Sequence, residues 1–239
     1  MHWGMEGLSR GTGFEKQVLC SAAGGRDSRF VRPPCGKLSL DDGVHVWRFV
    51  SADPSVLSDR ERGQAAEFRA DAAREAFIVG RSGLRRAAAA YTGLDPRAVV
   101  ISQSSSGKPF IENADIHFNL SHSGGDVVAA FSSGPVGIDI ESPGRCRDFA
   151  GVARRFFHPD EAAWISGEEE FLLCWTAKEA MLKLDGGGLA GGLERSRVTP
   201  DGGGSLGGKP VSITRFRIGA CPAAVATFSP VEVKGWFQI

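Results

Sequence analysis

The chain has 239 residues, 42% of them hydrophobic, which is enough to bury a substantial core as one domain or two small halves. Lys plus Arg equals Asp plus Glu at 28 each, so the bulk positive charge of a nucleic-acid binder is missing and an anionic partner has to be met by a local patch. Five cysteines (Cys20, Cys35, Cys146, Cys174, Cys221) form no C-x-x-C pair, no apolar run reaches the ~18 residues of a membrane span, and no basic-then-apolar leader opens the chain; a soluble, reduced, cytoplasmic setting is expected.

Residues 1–42 carry Gly, Ser, Arg and Pro33-Pro34 without periodicity and read as a loosely ordered extension. The compact fold is expected to begin at Val44 to Val50, whose alternation suits a strand. Asp53-Pro54 has the pattern of an N-cap with proline at the first helical position, opening a helix that runs into Phe68. A second helix is predicted from Asp71 to Tyr91. Short strands follow at Val99 to Ser102, Ile116 to Leu120, Val127 to Phe131 and Val136 to Ile140, the last three separated by Ser123-Gly-Gly-Asp126 and Ser132-Ser-Gly-Pro135 turns. Helices are then expected around Phe149 to Phe157, Asp160 to Ile165 and Glu168 to Leu184. A Gly-rich segment from Gly186 to Gly208 leads to late strands near Val211 to Arg217 and Ala223 to Phe228. Helices mixed with hairpin-compatible strands give an α+β class.

Two of these elements carry chemistry. On the predicted strand Val136-Gly-Ile-Asp139-Ile-Glu141, Asp139 and Glu141 share one face and Val136, Ile138 and Ile140 the other, so a buried face aligns two carboxylates. On the predicted helix, Glu179 and Lys183 stand four apart on one side, away from a stripe of Leu173, Ala177, Ala180 and Leu184. Magnesium is commonly held by one or two carboxylates together with substrate phosphates, and Glu179 supplies a possible third oxygen ligand. Taken singly, the acid pair reads better as a solvated strand face and Glu179 with Lys183 better as a surface ion pair of ~0.2–0.5 kcal/mol.

Further donors to phosphate lie upstream. His117-Phe-Asn-Leu-Ser121-His122-Ser123-Gly124 ends a strand in a turn with hydroxyls, an imidazole and backbone N–H groups. Gly107-Lys108-Pro109 puts a cation in a tight turn, and Arg74, Arg81 and Arg85 recur along one helix, where a solvated face is the alternative, favoured more for Arg85 than for Arg81. Gly203 to Lys209 imitates a phosphate loop, but Pro210 stands where Ser or Thr should ligate magnesium, which excludes that reading.

Residues 44–239 resemble the 4'-phosphopantetheinyl transferases of the surfactin-synthetase-activating type. The resemblance is carried, in order, by Gly80-Arg81-x-x-Leu84-Arg85, Gly107-Lys108-Pro109, Phe118-Asn-Leu-Ser121-His122-Ser123, Val136-Gly-Ile-Asp139-Ile-Glu141, Arg155-Phe-Phe157 and Trp175-x-x-Lys178-Glu179-x-x-x-Lys183. It implies two α+β halves, 43–135 and 136–239, related by a pseudo-twofold axis with coenzyme A between them, in a monomer. By the same resemblance Asp139, Glu141 and Glu179 would hold Mg2+ on the coenzyme A pyrophosphate. Lys183, Ser121 and His122 would contact phosphate oxygens, and Lys108 with Arg74 or Arg81 would seat the nucleotide end. Catalysis would rest on Glu179 as base, directly or through water, and on Lys183. The acceptor would be a serine of an acyl or peptidyl carrier protein, for which Arg145, Arg147, Arg154 and Arg155 beside Phe156 and Phe157 offer a basic surface with an apolar anchor; a solvated helix face with Phe156 or Phe157 in the core is the nearly equal alternative. Glu61 and Gln64 stand where some members of the family carry lysines. A different magnesium-dependent phosphotransferase or hydrolase, and a noncatalytic coenzyme A or carrier binder, are the competing functions; the acids beside a lysine speak against the second.

Overall fold

The computed structural model describes residues 30–41, 43–105, 107–146, 148–186, 192–199 and 203–239. The first 29 residues of the expected extension, Arg147, and parts of the Gly-rich segment lie outside them.

The chain is α+β. Strand β1 (Val44–Phe49) leads through a 3-10 turn (Pro54–Val56) to α1 (Asp59–Glu67) and the long α2 (Asp71–Thr92). A small hairpin of β2 (Ile101–Gln103) and β3 (Pro109–Ile111) precedes β4 (His117–Ser123), β5 (Asp126–Ser132) and β6 (Val136–Ile140). Helices α3 (Phe149–Phe156), α4 (Pro159–Trp164) and α5 (Glu168–Asp185) follow. The chain closes with β7 (Ser196–Val198), β8 (Gly204–Leu206), β9 (Lys209–Ile218), β10 (Cys221–Thr227) and β11 (Val233–Gln238).

Among the described residues the strands make a four-stranded sheet, β11-β1-β5-β4, and a five-stranded sheet, β6-β10-β9-β8-β7, beside the hairpin. Alternation along each strand sorts its side chains between two cores. Trp47, Phe49, Val127, Ala129 and Phe131 pack under α2, whereas Val44, Val46, Val128 and Ala130 meet Ile138, Ile140, Phe216 and Val225 of the second sheet. Helix α5 covers the far face of that second sheet, where Ala224 and Ala226 join Ala177, Ala180 and Met181. The layers therefore run helix, sheet, sheet, helix, and β4 and β6 are the edges brought side by side between the two sheets.

Several local expectations shift. The helix expected from Asp53 to Phe68 is broken at Leu57, which is extended; Asp53 caps only the 3-10 turn, and α1 starts from a capping box in which Ser58 accepts from the Glu61 amide and Glu61 accepts from the Ser58 amide. Glu61 is buried and ion-paired with Arg85 at 2.7 Å, so the two pin α1 to α2 from inside the protein. Arg85 is thus not a solvated residue: its Nη1 also donates to the Val99 carbonyl at 2.8 Å. In the stretch read as a loose extension, Leu40 is buried, Val31 bridges Phe237, and the Phe30 ring meets Trp236 edge-on at 5.6 Å. Ordered packing thus reaches back to Phe30 at least. No helix among the described residues is long and apolar enough to cross a membrane, and Cys35, Cys146, Cys174 and Cys221 are free thiols.

Candidate active site

The site lies where β4, β6 and α5 meet. On β6, Val136, Ile138 and Ile140 are fully buried between the sheets, which turns Gly137, Asp139 and, just past the strand, Glu141 toward α5. Gly137 permits the approach: a Cβ there would sit 2.0 Å from the Ala180 carbonyl oxygen and 2.6 Å from the Leu184 amide. Strand backbone therefore rests directly on helix backbone, at the residues that follow Glu179 and Lys183. The helix is itself enclosed, with Phe171, Leu172, Cys174, Ala177, Ala180 and Leu182 buried around its circumference.

Strand β4 supplies a matching ladder. Its odd positions face β6: Asn119 Oδ1 accepts from the Ile138 amide at 3.0 Å, Ser121 Oγ donates to Asp139 Oδ1 at 2.7 Å, and Ser123 Oγ donates to Glu141 Oε2 at 2.8 Å. Lys183 Nζ completes the group, donating to Asp139 Oδ1 at 2.6 Å and to Ser121 Oγ at 2.9 Å. Asp139 Oδ2 and, on the helix opposite it, Glu179 Oε1 are buried and meet no hydrogen-bond donor.

Such oxygens are costly unless something positive reaches them. Burial raises the Asp139 carboxyl above its usual range, opposed by Lys183. Glu179, only 8% exposed, is pushed up to about 7 by burial and then by the negative charge of Asp139 and Glu141, with Lys183 opposing. Hard oxygen donors converging without enough protein cations fit a divalent ion of the magnesium type. Among the described residues no three His, Cys, Asp or Glu side chains already stand as a finished metal cluster. The fit therefore rests on the donor chemistry and on the two orphaned oxygens.

Around this centre the expected residues separate. Ser121 and His122 are neighbours on a strand, so they point to opposite faces: Ser121 joins the acids, while His122 opens onto a cavity of about 230 Å3 under α2, lined also by Phe77, Arg81, Pro109 and Leu120. Arg81 lies over the Phe77 ring at 5.5 Å, and burial holds its guanidinium below the usual arginine value. Arg74 does not reach the cavity lining; it pairs with Asp71 at 2.7 Å on the exposed end of α2. Lys108 is also elsewhere than expected: its Nζ donates to the Lys183 carbonyl at 2.9 Å and the Leu184 carbonyl at 3.3 Å, closing the last turn of α5. Burial lowers its pKa. Of the expected docking surface, Phe156 is exposed beneath the Arg155 guanidinium, whereas Phe157 is buried against Phe171, and Arg145 turns inward to Ser123 at 3.2 Å. Ser123 and Gly137 stand in the quoted motifs without an assigned role; the period of two shared by 119, 121, 123 and 139, 141 is the signal that links them.

A profile described as "4'-phosphopantetheinyl transferase, N-terminal" matches residues 46–134, and one described as "4'-phosphopantetheinyl transferase superfamily" matches residues 135–217. Similar proteins include the 4'-phosphopantetheinyl transferase HetI of a Nostoc species, 32% identical over 63% of this chain and 72% of its own. Another is the 4'-phosphopantetheinyl transferase psf-1 of Bacillus pumilus, 34% identical over 66% of this chain and 68% of its own. The 4'-phosphopantetheinyl transferase Sfp of Bacillus subtilis is 31% identical over 64% and 67%.

Proposed function

Because the chain belongs to the 4'-phosphopantetheinyl transferases of the Sfp type, and is an enzyme of that family, we propose that it moves 4'-phosphopantetheine from coenzyme A to a serine of an acyl or peptidyl carrier protein, with Mg2+ required. The observation that carries the magnesium-dependent reading is the pair of buried, donorless oxygens on Asp139 and Glu179 beside Lys183. On this reading the two sheets with their helices are paired halves, and the donor lies across the junction of β4 and β6.

Asp139, Glu141 and Glu179 would hold the ion, which when bound offsets charge on the pyrophosphate oxygens. Lys183, partly exposed above Asp139, would swing its ammonium to the same oxygens and stabilise charge gathered there in the transition state. Arg81 and His122 would take the nucleotide end of coenzyme A in the cavity under α2. As the carrier serine oxygen bonds to the phosphorus that bears pantetheine, the bond to 3',5'-adenosine bisphosphate breaks and the serine proton has to leave. Glu179 would accept that proton directly or through a water molecule.

Incubation with coenzyme A, Mg2+ and an apo-carrier protein should add ~340 Da to the carrier at one serine, the mass of the transferred group. Mass spectrometry reads the result. Carriers of both the acyl and peptidyl kinds left unmodified, while a transferase of known activity modifies them in parallel, would defeat the proposal.

A further inference from the structure

Resting on the assignment of Glu141 to the ion, we propose that Ser123 is a positioning residue which fixes the Glu141 carboxylate, and that Arg145 and the Ser142 amide lock the serine in that task. A hydroxyl has one proton to give and two lone pairs to receive. Ser123 Oγ receives from the Ser142 amide at 3.0 Å and from Arg145 Nη1 at 3.2 Å, and both of those groups can only donate. Its own proton is thereby committed to Glu141 Oε2 at 2.8 Å. With Ser123 only 2% exposed, solvent does not compete for that bond. One carboxylate oxygen is thus held and the other is left for the ion.

Two neighbouring features show that the arrangement is built. Ser121 makes the same donation to Asp139 one step of the ladder away, so two serines two apart on β4 orient two acids two apart along β6. Gly124, with φ of +59°, lets the β4–β5 turn close onto the segment after β6; a Cβ there would lie 2.0 Å from Ser142 Oγ. The contact between Ser123 and Ser142 therefore depends on a residue with no side chain. Loss of an outer partner that orients a metal-binding group typically weakens metal affinity or activity by about 10- to 100-fold.

The test is Mn2+ binding to the full chain with coenzyme A present and no carrier, followed by electron paramagnetic resonance, so that no turnover enters the measurement. Ser123→Ala should weaken Mn2+ by about 10-fold, Ser123→Thr, which keeps the hydroxyl, should restore most of it, and Ser123→Ala should add nothing once Glu141→Ala is present. Ser123→Cys, close in size but a weak donor, should weaken binding with an unchanged melting midpoint, which separates orientation from folding. If Glu141→Ala weakens Mn2+ while folded Ser123→Ala and Ser123→Cys bind normally, the role of Ser123 is overturned and the acid set stands. If Glu141→Ala itself binds Mn2+ normally, the assignment of Glu141 falls and the proposal falls with it.

Discussion

Glu179 carries the clearest single-residue consequence. Its carboxyl titrates at about 7 in the fold against an ordinary 4.5, so the folded state holds a proton that the unfolded chain has released. Its contribution to stability is therefore undiminished below pH 4.5, is lost as pH rises toward 7, and is absent above that. Glu179→Gln removes the penalty. Without divalent ions, urea unfolding at pH 8 should show the variant more stable than the parent by ~1 kcal/mol, allowing for partial solvent screening, and at pH 4 the two curves should coincide. Transfer to carrier protein should be lost in the same variant; lower stability at pH 8 would instead mark Glu179 as a structural residue. The four groups Asp139, Glu141, Glu179 and Lys183 were legible in the sequence because strand and helix periods dictate which positions share a face. Lys108 was not, because the carbonyls it closes belong to a helix end 75 residues away in sequence. Ser121 and His122 were joined by their motif and are parted by the alternation of the strand.

At the scale of elements, α5 is held in place by an ion pair with no access to water. Lys178 Nζ meets Glu161 Oε2 at 2.8 Å, with both side chains at most 1% exposed, and also donates to the Ser196 carbonyl. Glu161 receives the Val198 amide at 2.6 Å and the His158 amide at 2.8 Å, so one carboxylate joins α4, α5 and β7. Lys178→Met strands a buried negative charge and should cost about 3–5 kcal/mol. Adding Glu161→Gln neutralises it and should return part of that loss. Urea unfolding of the single and double variants measures both, and a double variant worse than the single would contradict this account. In the sequence Lys178 was visible only as a motif letter, since its partner sits on another helix. The same limit hid β3, β7, β8 and β11. Three of these have three residues each, too few for a period, and β11 contains Gly235, which normally weakens a strand.

For the whole molecule, β1, α2 and β11 meet at one polar group inside an aromatic cluster. The Trp47 indole can only donate, and it gives its proton to Tyr91 Oη at 2.7 Å; the same hydroxyl is hydrogen-bonded to His45 Nδ1 at 2.8 Å, while Phe237 covers the imidazole edge-on. Burial lowers the His45 pKa below the ordinary 6.5 and so favours the neutral imidazole. Stability from this cluster is complete above pH 6.5 and is lost as pH falls toward the folded value, opposite in slope to Glu179. In a Glu179→Gln background, stability should therefore decline from pH 7.5 to 5.5, and the decline should shrink in His45→Asn; an unchanged slope would place the acid sensitivity elsewhere. The cluster also shows what β11 means for the fold. That strand lies parallel to β1 and closes the sheet whose other members come from residues 44–132. A ribosome therefore releases β1, α2, β4 and β5 about a hundred residues before β11, so the nascent first half waits with that edge of β1 unpaired until residues 233–238 emerge.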